Sequence, residues 1–204
     1  MALTTSPVSP ISISKTLDQE VDGLLSGNKW SDGTSSTYLT ISYSFPTIAA
    51  DYGSKYSGNY PSKHFGSFSM DMAAKDSVKS VFDYISAITT LKFQEFDGTS
   101  PELQPKDAVI RLAKMDMSSE AVTFLPSTNP EGGDAWFSKS FFEEPGSTFG
   151  VGTYRYTDFL HELGHSLGLD HSFQGSKFGA TPNDSLEYSV MSYSSYEGAK
   201  RSRR

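Results

Sequence analysis

The sequence predicts a single α+β domain built on one twisted sheet. Segments with helical spacing alternate with short strand-like segments, and neither an internal repeat nor a clear linker divides the 204 residues. The composition agrees, because 13% aromatic and 20% charged residues are typical of a chain that folds around a core. We therefore expect one domain over residues 17–204, preceded by an arm.

The first elements follow from composition and spacing. Residues 1–16 are rich in Ser, Thr and Pro and predict a flexible arm, which could serve as a pro-segment. Apolar residues at three- and four-residue spacing then predict one amphipathic helix that Gly27 ends. TYLTISYSF, residues 37–45, alternates polar and apolar residues and predicts a half-buried strand that stops at Pro46.

The middle of the chain continues this alternation. Residues 76–88 have helical spacing, and LKFQEF at 91–96 predicts a strand. AVIRLAK at 108–114 and AVTFL at 121–125 predict two more strands. In GGDAWF, residues 132–137, a turn precedes a short strand. Helices and strands are thus interleaved along the chain, as an α+β domain requires.

Charge, cysteine content and hydropathy limit the possible functions. A net charge of −7 and a pI near 5.0 argue against nucleic-acid binding, which needs clustered Lys and Arg. The absence of Cys removes disulfides and thiolate ligands, so a metal would have to bind His, carboxylate or Tyr. No apolar run is long enough to cross a membrane, and no N-terminal signal peptide is recognisable. We expect a soluble monomer without nucleic-acid or membrane partners.

The run HELGHSLGLDH, residues 161–171, holds three of the four histidines in the chain. The pattern predicts a helix over 158–167 with Thr157 as its N-cap. In that helix His161 and His165 lie one turn apart on the same face, while leucines hold the opposite face in the core. Two imidazoles would then point into one space.

The rest of the run completes a ligand set. Gly168 can leave the helix at positive φ, so that His171 can return toward the other two histidines. Three neutral imidazoles around one point fit zinc, which keeps an open position in catalytic sites. Glu162 is placed to take a proton from metal-bound water. Because the glutamate, the glycine and the third histidine all fall at the required offsets, a catalytic zinc site is favoured over a polar helix face.

The spacing HExxHxxGxxH is the zinc signature of the metzincin metalloproteases, and this chain resembles that family. The signature is matched at His161, Glu162, His165, Gly168 and His171. The family also has a methionine-containing turn, the Met-turn, which SVMSY at 189–193 resembles. Met191 would then be a structural floor beneath the zinc.

Other segments resemble the serralysin branch in particular. Tyr193, two residues after the methionine, matches the serralysin and astacin arrangement, in which the phenol joins the metal. VDGLLSGNKW at 21–30, GGDAWF and YSVMSY also look like serralysin segments. A chain without Cys does not suit the astacin branch. The sequence is identified as similar to a serralysin catalytic domain.

The resemblance implies a fold and a reaction. The fold would be a twisted, mostly parallel sheet with an antiparallel edge strand, an active-site helix and a Met-turn. The activity would be zinc-dependent endopeptidase action with Glu162 as general base, while Tyr193 leaves the metal to stabilise the oxyanion. Ala135 and Trp136 would line the edge strand on which an extended protein or peptide substrate binds.

Further implications of the resemblance concern calcium, location and partners. The nonapeptide repeats of serralysins, with the pattern GGxGxD, do not occur here, so calcium is not expected. The resemblance implies a secreted, extracellular protein and a small inhibitor protein as a partner. Two alternatives stay open: a catalytically silent scaffold that binds other proteins around a structural zinc, and a zinc enzyme that acts on something other than peptide. An intact Glu162 argues against the silent scaffold.

Overall fold

The computed structural model describes residues 7–56, 65–68, 71–143, 145–173 and 181–195. The strands in these ranges are β1 (Ser9–Ser12), β2 (Asn28–Ser31), β3 (Leu39–Ser44), β4 (Phe65–Gly66), β5 (Leu91–Glu95), β6 (Ile110–Met115), β7 (Ala121–Thr123) and β8 (Ala135–Ser138). The helices are α1 (Gln19–Asp22), α2 (Met72–Ile88), α3 (Lys139–Glu143) and α4 (Tyr154–Leu167). Every strand predicted between residues 37 and 137, and the helix predicted at 76–88, is confirmed within a few residues.

The main sheet is mixed and mostly parallel. Its strands lie in the order β5-β3-β6-β8-β7, and β4 pairs with β6 off this path. Strands β5, β3, β6 and β8 are parallel, whereas β7 runs antiparallel to β8 at one edge. This architecture agrees with the predicted α+β class and is compatible with the metzincin fold.

Side chains alternate between the two faces of the sheet and build two cores. On one face, Val78 and Phe82 of α2 and Phe159 and Leu163 of α4 pack with Ile110 of β6 in the main core. The other face carries a smaller aromatic cluster of Tyr52, Tyr56 and Trp136. The main core therefore fixes α4, the helix of the histidine run, against the sheet. None of the helices in the described ranges is long and apolar enough to span a membrane.

The prediction for the N-terminal residues was wrong in two respects. β1 lies within the segment predicted as a flexible arm, and its residues pair antiparallel with those of β2. A ladder of backbone hydrogen bonds needs no apolar side chains, so a Ser- and Pro-rich composition does not prevent it. The predicted helix up to Gly27 shrinks to the four residues of α1, because Asp18 caps it and Leu25 already bridges to Leu169.

The predicted edge strand was also wrong. β8, which carries Ala135 and Trp136, lies between β6 and β7, and both side chains are fully buried. A strand hydrogen-bonded on both sides has no free backbone edge for a substrate. The antiparallel edge strand is β7, Ala121–Thr123.

Helix α4 begins four residues earlier than predicted. Its N-cap is Thr153, whose hydroxyl accepts a hydrogen bond from the Tyr156 N–H. The predicted cap, Thr157, already donates its own N–H to the Thr153 carbonyl and thus lies inside the helix. The predicted end is confirmed, because Gly168 leaves the helix with φ 107°.

Candidate active site

The imidazoles of His161, His165 and His171 converge on one point. Their Nε2 atoms form a nearly equilateral triangle with sides of 3.1 Å (161 to 165), 3.1 Å (165 to 171) and 3.2 Å (161 to 171). Zn–N bonds of about 2.0–2.1 Å in tetrahedral geometry would separate the nitrogens by roughly 3.3 Å. Among the residues that the structure describes, this triad is the group of side chains able to hold a metal ion.

Backbone carbonyls orient two of these rings. His161 Nδ1 lies 2.8 Å from the Val190 oxygen, and His165 Nδ1 lies 2.8 Å from the Leu169 oxygen. A carbonyl only accepts, so each Nδ1 donates and each Nε2 presents its lone pair to the metal position. Burial lowers the pKa of His165, which favours the neutral form that a ligand needs. The donor set therefore fits zinc in chemistry as well as in spacing.

The turn after α4 carries the third histidine back toward the first two. At this turn the Ser26 N–H donates to the Gly168 carbonyl at 3.0 Å, and the Asp170 N–H donates to the Leu24 carbonyl at 2.8 Å. Asp170 also accepts the His171 N–H at 2.8 Å. The segment before β2 is thus hydrogen-bonded to the turn that positions His171.

Glu162 is a largely buried carboxylate next to the triad. Thr123, the last residue of the edge strand β7, donates its hydroxyl to Glu162 Oε2 at 2.6 Å. Burial raises the pKa of Glu162 to about 7; the Thr123 hydrogen bond opposes this rise and the nearby Asp158 charge adds to it. A carboxylate with a pKa near neutrality can both take and return a proton at physiological pH.

Met191 lies against the helix turn that carries His161 and His165. It is fully buried, and its Sδ would be only 2.7 Å from a Cβ added at Gly164. Gly164 therefore lets the methionine approach the backbone between His161 and His165. The role of Met191 as a floor beneath a metal stays a prediction.

Tyr193 lies beside two of the three imidazoles. Its ring centroid is 5.3 Å from that of His161, nearly parallel to it, and 4.7 Å from that of His171. More than half of the tyrosine is exposed, at 59%. Phe173 stacks on the His171 imidazole, with the two ring centroids 5.0 Å apart. An exposed phenol beside the imidazoles has access to anything bound at this site.

The structure brings together six of the predicted residues: His161, Glu162, His165, His171, Met191 and Tyr193. It does not bring Ala135 and Trp136 to a substrate edge. Thr123 was missed, because one threonine in a strand-like segment carries no pattern that points to a residue far along the chain.

Comparisons with known proteins agree with this geometry. The family described as Peptidase M66 matches residues 107–194. Serralysin B of Dickeya chrysanthemi is 32% identical over 92 residues, which cover 39% of this chain and 18% of that protein. Serralysin of Proteus mirabilis is 27% identical over 174 residues, which cover 75% of this chain and 33% of that protein. The metalloprotease AprA of Pseudomonas entomophila is 26% identical over 194 residues, which cover 88% of this chain and 37% of that protein.

These comparisons support a serralysin-like metalloprotease domain in this chain. The Peptidase M66 match runs from just before β6 through the edge strand and α4 to just past Tyr193, so it includes every residue of the serralysin-like site. The matched part of this chain covers between 18% and 37% of the length of these relatives.

Proposed function

We propose that this chain is a zinc-dependent endopeptidase that hydrolyses peptide bonds of extended protein substrates. The observation that carries the proposal is the triangle of three Nε2 atoms beside a partly buried glutamate whose pKa is raised to about 7. His161, His165 and His171 would hold the ion. Bound zinc would act as a Lewis acid that polarises the substrate carbonyl and activates water.

Glu162 would act as the general base and then as the general acid. Its carboxylate takes a proton from the attacking water and passes it to the leaving amine. The Thr123 hydroxyl fixes one carboxylate oxygen, Oε2, and so fixes the direction in which the other oxygen can accept a proton. The base is thereby oriented before the substrate arrives, which lowers the entropic cost of the reaction.

The substrate would bind along β7 and not along β8. In the described part of the chain β7 pairs only with β8, so its outer edge offers backbone donors and acceptors to an added strand. Since Thr123 of β7 contacts Glu162, a peptide on this edge passes beside the base. Recognition through the backbone favours an extended substrate and a broad sequence preference.

The proposal is tested with the zinc-loaded chain and an unfolded protein. We expect new peptide N-termini, detected by mass spectrometry, whose formation a zinc chelator stops and added zinc restores. His165→Ala, which removes one ligand, should neither hold zinc tightly nor cut. A parent chain that binds zinc but leaves the protein intact would favour the silent scaffold. Hydrolysis of a small ester without any peptide cleavage would favour a zinc enzyme with another substrate.

Tyr193→Phe should retain zinc and slow turnover by about 10²- to 10³-fold. The ring contacts with both imidazoles survive, whereas the hydroxyl that would donate to the developing oxyanion is lost. The measurement is kcat on a peptide together with zinc content. Tyr188→Phe, at an exposed tyrosine five residues earlier, is the matched control and should match the parent. An unchanged kcat in Tyr193→Phe would remove the oxyanion role.

An extracellular location and a small inhibitor protein stay predictions that come from the resemblance. The named role of Met191 as a Met-turn residue is likewise part of this proposal, supported by its buried position against Gly164.

A further inference from the structure

The Asp184 carboxylate lies between the two loop segments that complete the candidate zinc site. Its Oδ1 accepts hydrogen bonds from the hydroxyls of Ser172 and Ser192, each at 2.6 Å. Its Oδ2 accepts a third from the Ser194 hydroxyl at 3.1 Å. We propose that Asp184 is a positioning residue that holds the third zinc ligand and the methionine segment in one arrangement.

The first two hydroxyls depend on this carboxylate. Ser172 is fully buried and Ser192 is 2% exposed, and a buried hydroxyl without a partner is costly. Hydrogen bonds to a charged acceptor are stronger than those between neutral groups. Among the residues that the structure describes, the backbone contact between the two segments runs from the Ser172 N–H to the Met191 carbonyl and is long, at 3.4 Å. The carboxylate is therefore the main polar link between the segments.

One of the linked segments contains a candidate zinc ligand, and the other contacts one. Ser172 directly follows His171, whose imidazole lies beyond the end of α4 and so lacks the constraint of the helix. Ser192 follows Met191, and the residue before that methionine, Val190, supplies the carbonyl that orients His161. Asp184 thus acts on His171 through one serine and on His161 through the other segment.

The two ends of the His171 loop are held by different groups. On the α4 side, two backbone hydrogen bonds hold the turn: Leu24 accepts the Asp170 N–H, and Ser26 donates to the Gly168 carbonyl. On the far side, the Asp184 link follows the ligand at once. If this link is lost, the far side of the His171 loop keeps the backbone contacts of Ser172 but not its charged acceptor, and the triangle of Nε2 atoms loosens. Loss of partners that orient metal ligands lowers metal affinity by about 10- to 100-fold.

The inference rests on the proposed zinc site, but its test does not need proteolysis. Four chains are compared with the parent: Asp184→Ala, Asp184→Asn, Ser192→Ala and Asp97→Ala. Asp97 accepts a threonine hydroxyl at 2.7 Å in the loop after β5, at the opposite edge of the sheet, and is the matched control. The readouts are the zinc Kd by chelator competition, the visible spectrum of the Co²⁺-substituted chain and the Tm of the metal-free chain.

We expect Asp184→Ala to raise the zinc Kd by about 10- to 100-fold and to change the Co²⁺ bands, which report ligand geometry. Asp184→Asn keeps an amide oxygen for Ser172 and Ser192, so its Kd should rise only a few-fold. Ser192→Ala removes one link and should lie between the two variants. Asp97→Ala should keep the parental Kd and spectrum.

A parental Kd and Co²⁺ spectrum in Asp184→Ala would overturn the inference, even if the Tm fell, because Asp184 would then only stabilise its loop. If Asp184→Ala does not fold, a parental Kd in Ser192→Ala would overturn it in the same way. A parent chain that binds no zinc would remove both this inference and the proposed function. A parent chain that binds zinc without cutting peptides would remove the protease proposal alone.

Discussion

Glu162→Gln should retain zinc and lower kcat by about 10²- to 10⁴-fold, the usual contribution of a general base. The glutamine has nearly the same shape, and its amide oxygen can still accept the Thr123 hydroxyl. It cannot take a proton from water, however, so the step that the buried carboxylate performs is lost. The three imidazoles are untouched and should bind one zinc as before. The measurement is kcat on an unfolded protein beside the zinc content of both chains.

The matched control is Glu95→Gln, the same substitution on β5 at the opposite edge of the sheet. Glu95 there forms ion pairs with Lys75 and Lys79 and takes no part in the site. This control should cut at the parental rate. If Glu162→Gln also cut at that rate while holding zinc, the carboxylate would not be the base, and the mechanism would have to be revised.

The convergence of the three histidines could be predicted from sequence because helix geometry is local. Two histidines four residues apart share a face in any α-helix, and a glycine at the helix end permits the return of a third. Each of these statements depends on neighbours within one or two turns. The positive φ of Gly168 and the convergence of His161, His165 and His171 follow from them.

Strand order could not be predicted in the same way. AVTFL and GGDAWF are both short apolar segments next to turns, and nothing within either one says which lies at the edge. The order depends on which partner each strand finds across the sheet. β8 pairs in parallel with β6 and so becomes an interior strand, leaving the edge to β7. The edge strand was therefore assigned to the wrong segment.

The supporting hydrogen bonds were also beyond local patterns. Thr123 and Glu162 are 39 residues apart in the sequence, and Asp184 and Ser172 are 12 apart. A single threonine or aspartate carries no periodic signal. Helix starts are similarly ambiguous, since Thr153 and Thr157 are equally good caps by composition, and only the observed hydrogen bond to Tyr156 distinguishes them.

Gly168→Ala should destabilise the metal-free chain by about 2–5 kcal/mol and weaken zinc binding. At φ 107° an alanine is strained by about 1–2 kcal/mol, and its Cβ would lie 2.4 Å from the Asn28 carbonyl oxygen. That oxygen belongs to β2, whose Asn28 is paired with Ser12 of β1, so it cannot retreat without breaking the ladder. Overpacking of this kind adds about 1–3 kcal/mol. The free energy of unfolding in urea measures the sum.

Gly152→Ala separates the two parts of this cost. Gly152 also has a positive φ, 85°, but an added Cβ there meets nothing within 4 Å. This control should lose only the conformational part, about 1–2 kcal/mol, and keep the parental zinc Kd. The additional loss in Gly168→Ala then measures the close approach of β2 to the turn that carries His171. Equal losses of stability in the two variants, with equal zinc affinity, would show that the N-terminal strands do not hold the ligand turn.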